Sequence, residues 1–126
     1  MTLENEKLRA RDLKTFVGTK DFDTSRDFYV ALGWRINFEE GELAELEFCE
    51  QRFYLQRFYQ KQWCNNSMLY MAVDDAAAWH AKIEAVLAEK KYGAARTKPP
   101  APQDFAKLVT HMWDPSGVLW HLAQLE

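Results

Sequence analysis

The chain is organised around the stretch Leu108-Val-Thr-His-Met-Trp-Asp-Pro-Ser-Gly-Val-Leu-Trp-His-Leu-Ala-Gln124. Two runs rich in apolar, β-branched and aromatic residues flank the segment Asp114-Pro-Ser-Gly117. Proline at the second position and glycine at the fourth are typical of a type I turn. The stretch therefore predicts a β-hairpin, and its second strand carries the imidazole of His121.

The length, the net charge and the cysteine content of the chain limit the classes of protein to which it can belong. The chain has 126 residues, which is one domain-sized unit with room for a real core. A net charge of −3 gives no electrostatic footprint for nucleic acid, and no run approaches the roughly 20 apolar residues of a membrane helix. Cys49 and Cys64 form no CxxC motif, and no secretory signal precedes them. We therefore expect a cytoplasmic protein that binds neither nucleic acid nor membrane.

Working backwards from the hairpin, the predicted elements occur in the same order twice. Each half reads as strand, helix, strand, strand, strand, and the split lies near residue 62. Such a repeat implies two modules that bury their sheets by pairing, either within one chain or between two. The first half is predicted as a strand at 13–20, a helix capped by Asp23 and ended by Gly33, a strand of alternating apolar residues at 34–39, and strands at 43–48 and 51–56. The second half is predicted as a strand at 68–73, a helix capped at 74–75 and closed by Gly93, a short proline-rich edge strand within 96–103, and the final hairpin.

Three motifs carry a resemblance to a known family. They are Lys20-Asp-Phe-Asp-Thr-Ser25 leading to Leu32-Gly33, Ala72-Val-Asp-Asp75, and Asp114-Pro-Ser-Gly-Val-Leu-Trp-His-Leu122. Their order and spacing resemble the vicinal oxygen chelate superfamily, which includes glyoxalase I, bleomycin-resistance proteins and extradiol dioxygenases. The resemblance implies an α+β fold in which two βαβββ modules form a cup-shaped mixed sheet with helices on the outer face. It also implies a small-molecule ligand and a homodimer. The corresponding division is an N-terminal arm at 1–11, a first module at 12–58, a linker at 59–67 and a second module at 68–126.

Metal-dependent members of that superfamily place His, Glu or Gln near the start of the first strand and within the last strand of each module. Aligning the two halves puts Lys14, Met68, Tyr54 and His121 at those points. Only His121 is an ordinary ligand for a divalent metal, because Lys14 is cationic and Met68 is a soft thioether. We therefore expect no cofactor and no metal, and a divalent ion on His121 is the less favoured alternative.

The family register also predicts which side chains face the cup, since residues two apart share a face of a strand. Lys14 and Arg52 are expected to meet an anionic group, and His121 to act as a hydrogen-bond partner or general base. Two structural alternatives stay open: the aromatic residues are inter-sheet core, or His121 is a satisfied core histidine. The predicted cup-facing residues are Lys14, Phe16, Arg52, Tyr54, Met68, Tyr70, Leu119 and His121.

The other two histidines are assigned structural roles. His111 falls on the face opposite the cup if Trp113 pairs with Val118, and His80 is expected to face solvent on its helix.

Three functions compete for this sequence. The first is a metal-independent, bleomycin-resistance-like protein that binds a small aromatic or hydrophobic molecule in the cup. The second is a glyoxalase-like lyase or dioxygenase with an atypical metal site centred on His121. The third is an interaction module whose cup is filled by its own side chains.

Overall fold

The computed structural model of the chain describes residues 7–126, so the first six residues of the expected N-terminal arm lie outside the described part. The described chain consists of two βαβββ units joined by a short helix, as the repeat predicts. None of the helices formed by residues 7–126 is long and apolar enough to cross a membrane. The elements are β1 (Phe16–Gly18), α1 (Phe22–Leu32), β2 (Arg35–Glu40), β3 (Leu43–Phe48), β4 (Gln51–Gln56), α2 (Lys61–Asn66), β5 (Met68–Ala72), α3 (Ala76–Leu87), β6 (Arg96–Gln103), β7 (Ala106–Trp113) and β8 (Leu119–Gln124).

The strands form two four-stranded mixed sheets, one from each module. Sheet A has the order β1-β4-β3-β2, and sheet B has the equivalent order β5-β8-β7-β6. In each sheet the first and last strands of the module are parallel and the remaining neighbours are antiparallel. This arrangement confirms the predicted α+β class and its two βαβββ modules.

The ends of the helices differ in part from the sequence prediction. The N-cap of α1 is Asp21, whose carboxylate accepts the Thr24 backbone N–H, so the predicted cap Asp23 lies instead in the first turn. Gly33 ends α1 as predicted, with a φ of +114° that favours glycine. Asp75 caps α3 as expected, but that helix ends at Leu87, well before the predicted terminator Gly93.

His80 is not the solvent-facing residue that was expected. Its side chain is 15% exposed, and its Nδ1 lies 3.2 Å from the hydroxyl of Thr97 on β6. Its Nε2 lies 3.2 Å from a carboxylate oxygen of Glu84 one turn along the helix. The ring therefore helps to fix α3 against the edge of sheet B.

The segment between the modules packs on the first module. It contains α2, in which Cys64 is buried, and the ring of Trp63 lies directly against Gly18 of β1. A Cβ built on Gly18 would come within 2.5 Å of that ring and 2.7 Å of the Phe58 carbonyl oxygen. The contact of α2 with β1 thus requires glycine at this position, and it accounts for the aromatic residues in this segment.

The two modules share one hydrophobic core. One face of each sheet lies against the helices α1 and α3, and these two helix-bearing faces pack against each other. At their contact, the rings of Phe53 of sheet A and Trp120 of sheet B have centroids 5.3 Å apart. Tyr29 of α1 lies between them at 5.1 Å from Phe53 and 5.9 Å from Trp120. This packing leaves the opposite face of each sheet without a cover from the other module.

A buried polar network joins α1 to the final hairpin across that core. The Tyr29 hydroxyl donates to a carboxylate oxygen of Asp114 at 2.7 Å and accepts the indole N–H of Trp120 at 2.9 Å. The hydroxyls of Ser25 and Ser116 lie 3.1 Å apart beside it. Burial raises the pKa of Asp114 to about 6, and burial together with the Asp114 charge raises the pKa of Tyr29. The turn of the final hairpin in the second module is therefore hydrogen-bonded to α1 of the first module.

The register of the final hairpin differs by one residue from the predicted register. Trp113 pairs with Leu119, because Val118 belongs to the connecting loop and is fully buried there. The Asp114 carboxylate accepts the backbone N–H groups of Ser116 and Val118 and thereby stabilises this longer connection. The shift reverses the predicted facing of His111, since a slip of one residue moves a side chain to the other face.

Strand β2 contains a bulge that the alternating pattern did not predict. The register with β3 shifts between Ile36 and Phe38, so Ile36 lies opposite the buried Leu46 whereas Phe38 lies opposite Glu45. Ile36 and Phe38 consequently point to opposite faces of sheet A instead of sharing one.

Candidate functional site

Each sheet has a face that is only partly covered by the rest of the chain, and these two surfaces are the candidate site. We name them open face A and open face B. Open face A is formed by Lys14, Phe16, Phe38, Glu45, Glu47, Arg52 and Tyr54. Open face B is formed by Met68, Tyr70, Arg96, Lys98, His111, Trp113, Leu119 and His121.

All eight residues predicted to face the cup lie on these surfaces, four on each. On open face A, the rings of Phe16 and Tyr54 are 5.1 Å apart, and Lys14 Nζ lies 5.5 Å from the Tyr54 ring centroid. On open face B, Tyr70 lies opposite His121. Within one chain, no hydrogen bond, ion pair or ring contact described for residues 7–126 joins the two groups. A single chain thus presents these residues as two separate groups, and their role in binding stays a prediction.

The cations of open face A are neutralised by carboxylates of the same surface. Lys14 is paired with Asp12 and lies 3.6 Å from Glu45, and its hydrogen bond to Asp12 raises the pKa of Lys14. Arg52 donates to Glu47 at 2.8 Å, and Arg35 lies 3.0 Å from the same carboxylate. The two cations expected to meet an anionic ligand group, Lys14 and Arg52, therefore already have partners.

Open face B carries a row of polar side chains that crosses the whole sheet. Tyr70, His121, His111 and Lys98 stand directly opposite one another on β5, β8, β7 and β6. The imidazole centroids of His111 and His121 are 4.9 Å apart, with an angle of 68° between the rings. The facing predicted for His111 is thus wrong, because the buried Val118 lengthens the hairpin loop and places both histidines on one face.

The surroundings of His111 disfavour a charged ring, and the ring of His121 has unused hydrogen-bonding capacity. Burial, followed by the charges of His121 and Lys98, lowers the pKa of His111. The Nδ1 atom of His121 is buried and has no hydrogen-bond partner in the part of the chain that the structure describes. Because buried polar atoms are nearly always paired, this nitrogen marks a point where the row is incomplete in the isolated chain.

Aromatic rings and cations frame the row. Trp113 stacks on His111 with centroids 6.1 Å apart, and the guanidinium of Arg96 lies 3.7 Å from the Trp113 ring centroid. Phe105, in the turn between β6 and β7, contacts Tyr70 at 6.0 Å and His121 at 6.2 Å. The chain's own side chains leave Tyr70 53% and Phe105 51% exposed, so they do not fill this face.

Sequence reasoning missed five of these residues, namely Arg96, Lys98, Phe105, His111 and Trp113. Four of them lie on the two strands whose facing depends on the register of the final hairpin. The sequence signal that bears on these residues is Val118, which directly follows the turn glycine. Assigning Val118 to the loop instead of the strand gives the observed register of the hairpin.

The residues at the family's metal-ligand positions do not fit a divalent cation. Lys14 is a paired ammonium, Met68 is an exposed thioether and Tyr54 is a phenol under that ammonium. Among residues 7–126 there is no group of three His, Cys, Asp or Glu side chains that could hold a metal ion. His111 and His121 are the two nitrogen donors that the fold does bring together, and one of them lies outside the positions predicted from the family.

A separate groove lies between the modules, away from both open faces. It has a volume of about 480 Å³, and its walls include Phe48, Met71 and Trp79, with Lys82 and Cys49 at its edge. Phe48 and Trp79 contact each other across the module boundary with centroids 5.1 Å apart.

Comparison with known proteins identifies the fold. No protein-family model matches the sequence, and no curated protein matches it. Among solved structures, a bleomycin-binding protein complexed with bleomycin superposes with a TM-score of 0.77 at 22% identity, covering 93% of this chain and 100% of that one. A bleomycin resistance determinant encoded on the transposon Tn5 gives a TM-score of 0.77 at 23% identity, with 92% and 99% coverage. A glyoxylase/bleomycin resistance protein/dioxygenase domain from Frankia gives a TM-score of 0.70 at 13% identity, with 94% and 99% coverage.

The chain has the vicinal oxygen chelate fold. The resemblance found in the sequence motifs is thereby confirmed at the level of the fold. The similarity extends over nearly the full length of both chains in each pair, so it includes both modules and both open faces. At these identities the likeness concerns architecture, and the chemistry of the site has to be argued from the side chains.

Proposed function

We propose that this chain is a glyoxalase/bleomycin-resistance-like binding protein that holds a small aromatic or hydrophobic molecule without a metal ion. The observation that carries the proposal is the exposure of large apolar side chains on two sheet faces. Phe16 is 46% exposed on open face A, and Met68 and Tyr70 are 66% and 53% exposed on open face B. Apolar surface of this kind usually marks a binding site, because leaving it in water is unfavourable.

We further propose that the binding cup is completed by a second copy of the chain. The two modules of one chain meet through their helix-bearing faces, so open face A cannot close over open face B of the same chain. A two-fold dimer would bring open face A of each copy over open face B of the other and form two equivalent cups. The bleomycin-binding structures with this fold are complexes with a small molecule, which supports a ligand of that size.

The same proposal places the protein in the cytoplasm. Cys49 and Cys64 are both free thiols, and a reducing compartment keeps them so.

Ligand binding is tested by a thermal-shift screen of aromatic compounds, followed by calorimetric titration of those that stabilise the protein. A ligand present at 100 times its Kd stabilises by about 2.7 kcal/mol, which for a domain of this size raises the Tm by on the order of 10 °C. Tyr70→Ala should abolish the shift, whereas Tyr59→Ala, which removes an exposed tyrosine outside both open faces, should leave it unchanged. A screen in which no aromatic compound raises the Tm would count against binding.

The dimer is tested separately by light scattering coupled to size-exclusion chromatography. A mass near twice the 14.8 kDa of the chain is expected. A monomer at micromolar concentration would contradict the shared cup.

One observation favours the metal-dependent enzyme as a second candidate. His111 lies directly opposite His121, so the fold supplies two imidazole donors where the sequence indicated one. Elemental analysis of the wild type and of the His111→Ala and His121→Ala variants separates the two candidates. Bound Zn, Ni, Mn or Fe that disappears in both variants would favour the lyase or dioxygenase, and its absence from the wild type would favour the binding protein.

A further inference from the structure

We propose that the molecule bound at open face B is an aromatic anion, such as an aromatic carboxylate. Its ring would lie beside Trp113 and pack on the exposed rings of Tyr70 and Phe105, and its negative group would meet Arg96 and Lys98. This inference rests on the proposed function, because it specifies the chemistry of the ligand held in the cup.

The two open faces differ in how their charges are balanced. On open face A, Glu45 and Glu47 are held by Lys14, Arg52 and Arg35. On open face B, Arg96 and Lys98 form no ion pair with a carboxylate among residues 7–126, and their charged groups lie 3.7 Å and 5.5 Å from the ring centroid of Trp113. The positive charge that a ligand would find in the cup is therefore concentrated on sheet B, at the edge formed by β6.

The register keeps both cations on the surface that the ligand would contact. Arg96 pairs with Trp113 and Lys98 pairs with His111, so all four side chains share open face B. The strand residues of this face include no aspartate or glutamate. An anion placed here meets two cations and no opposing carboxylate, which is favourable in a partly enclosed site where water screens charges less.

The row of Tyr70, His121, His111 and Lys98 extends the preference for a ligand with oxygen atoms towards the centre of open face B. Burial lowers the pKa of His111 and so favours an uncharged ring beside Lys98, which adds a hydrogen-bonding group to the row rather than another charge. The unpartnered Nδ1 of His121 and the exposed Tyr70 lie further along the row. A ligand with oxygen atoms, alone or through an ordered water, would supply partners that the isolated chain lacks.

The aromatic part of the ligand is indicated by the rings beside the cations. Trp113 has His111 stacked on it and Arg96 over its ring, so aromatic groups lie directly beside the cations. Phe105 is half exposed and contacts Tyr70 and His121 from the turn above them. A neutral aromatic molecule would desolvate both cations without pairing them, and a cationic one would be repelled.

In a dimeric cup, carboxylates of the second copy could compete for these cations. In each copy, however, Glu45 lies 3.6 Å from Lys14 and accepts a hydrogen bond from Asn37, and Glu47 accepts one from Arg52. Hydrogen bonds from Asn37 and Arg52 lower the pKa of Glu47. The cations of open face B are thus the ones left to a ligand.

The test is calorimetric titration of the full chain with three probes of one shape: 2-naphthoate, 2-naphthamide and 2-naphthylmethylammonium. Naphthoate should bind about tenfold more tightly than the amide, and the ammonium compound should bind most weakly. Arg96→Gln and Lys98→Gln should each lower the affinity for naphthoate about fivefold to tenfold and leave that for the amide unchanged. Both residues are exposed, and unchanged amide binding verifies that the variants are folded.

Lys82→Gln is the matched control, because it removes one positive charge at the groove between the modules. It should change neither affinity. If Lys82→Gln weakens naphthoate binding and the open-face variants do not, the anion binds in the groove and the inference is overturned. If the three probes bind equally, the ligand is not an anion, although the proposed function stands. If none of them binds, and no other aromatic compound does, the proposed function itself fails.

Discussion

The carboxyl group of Asp114 is the buried charge on which stability is expected to depend most clearly. It is fully buried at the module junction, where it accepts hydrogen bonds from the Tyr29 hydroxyl and from the backbone of its own turn. These bonds favour the carboxylate, but the loss of solvent outweighs them and raises the pKa of Asp114 to about 6 from an ordinary value of 3.8. Asp114→Asn keeps the shape and an acceptor oxygen while it removes the titration.

The sign and size of the effect follow from linkage. Because the folded state holds the proton of Asp114 more tightly than the unfolded state, this group contributes stability at low pH that is lost as the pH rises through about 6. With those two pKa values, the contribution falls by about 2 kcal/mol between pH 4.5 and pH 7.5. The free energy of unfolding of the wild type, relative to that of Asp114→Asn, should therefore be about 2 kcal/mol lower at pH 7.5 than at pH 4.5.

Urea denaturation of both proteins at several pH values between 4.5 and 7.5 measures this difference. Comparison with the variant cancels the titration of the other carboxylates, provided that their environments are unchanged. Asp104→Asn, which alters an exposed carboxyl in the turn between β6 and β7, serves as the control and should give a curve parallel to the wild type. A difference between wild type and Asp114→Asn that does not vary with pH would refute the reasoning.

Two further variants test the contacts that join the parts of the fold, and urea denaturation checks both. Tyr29→Phe should lower the free energy of unfolding by about 2–4 kcal/mol, because it removes a donor from Asp114 and leaves the buried Trp120 N–H without an acceptor; a loss below about 0.5 kcal/mol would show that the network does not join the modules. Gly18→Ala should cost about 2 kcal/mol or more, since its Cβ would meet the Trp63 ring and a backbone oxygen. Full stability in Gly18→Ala would mean that α2 does not pack on β1 as described.

Much of the fold could be predicted from local patterns. The repeated order of elements, the turn at Asp114 and the end of α1 at Gly33 each depend on short-range chemistry that the sequence displays directly. The register implied by the family resemblance likewise put Arg52 and Tyr54 on one face of sheet A, and Leu119 and His121 on one face of sheet B, as the structure does. These predictions hold because a strand allows one periodicity, and a Gly or Pro in a turn allows few backbone conformations.

The candidate site was predicted less completely. The face of a strand on which a side chain lies depends on the exact number of residues in the neighbouring loop or bulge, and one extra residue reverses it. One residue in the final loop moved His111 onto open face B, and one bulged residue in β2 separated Ile36 from Phe38. In both places an apolar side chain was able to satisfy either register locally. At Val118 the choice was made by burial in the core that the two modules share, which a local pattern does not contain. Ile36 and Phe38 are both exposed, and their facing follows from the pairing of β2 with β3.

By itself, the sequence determined the two βαβββ modules and most of the side chains on each sheet face, since those follow from periodicity and turn chemistry. Only the tertiary structure decided that the modules meet through their helix-bearing faces and that Asp114 is buried against Tyr29. It also decided that Lys14 and Arg52 are paired with carboxylates, whereas Arg96 and Lys98 have no carboxylate partner within residues 7–126. The physical reason is that burial and ion pairing are properties of residues distant in the chain. The burial of a residue and its ion pairs are fixed only when packing has brought its distant partners together.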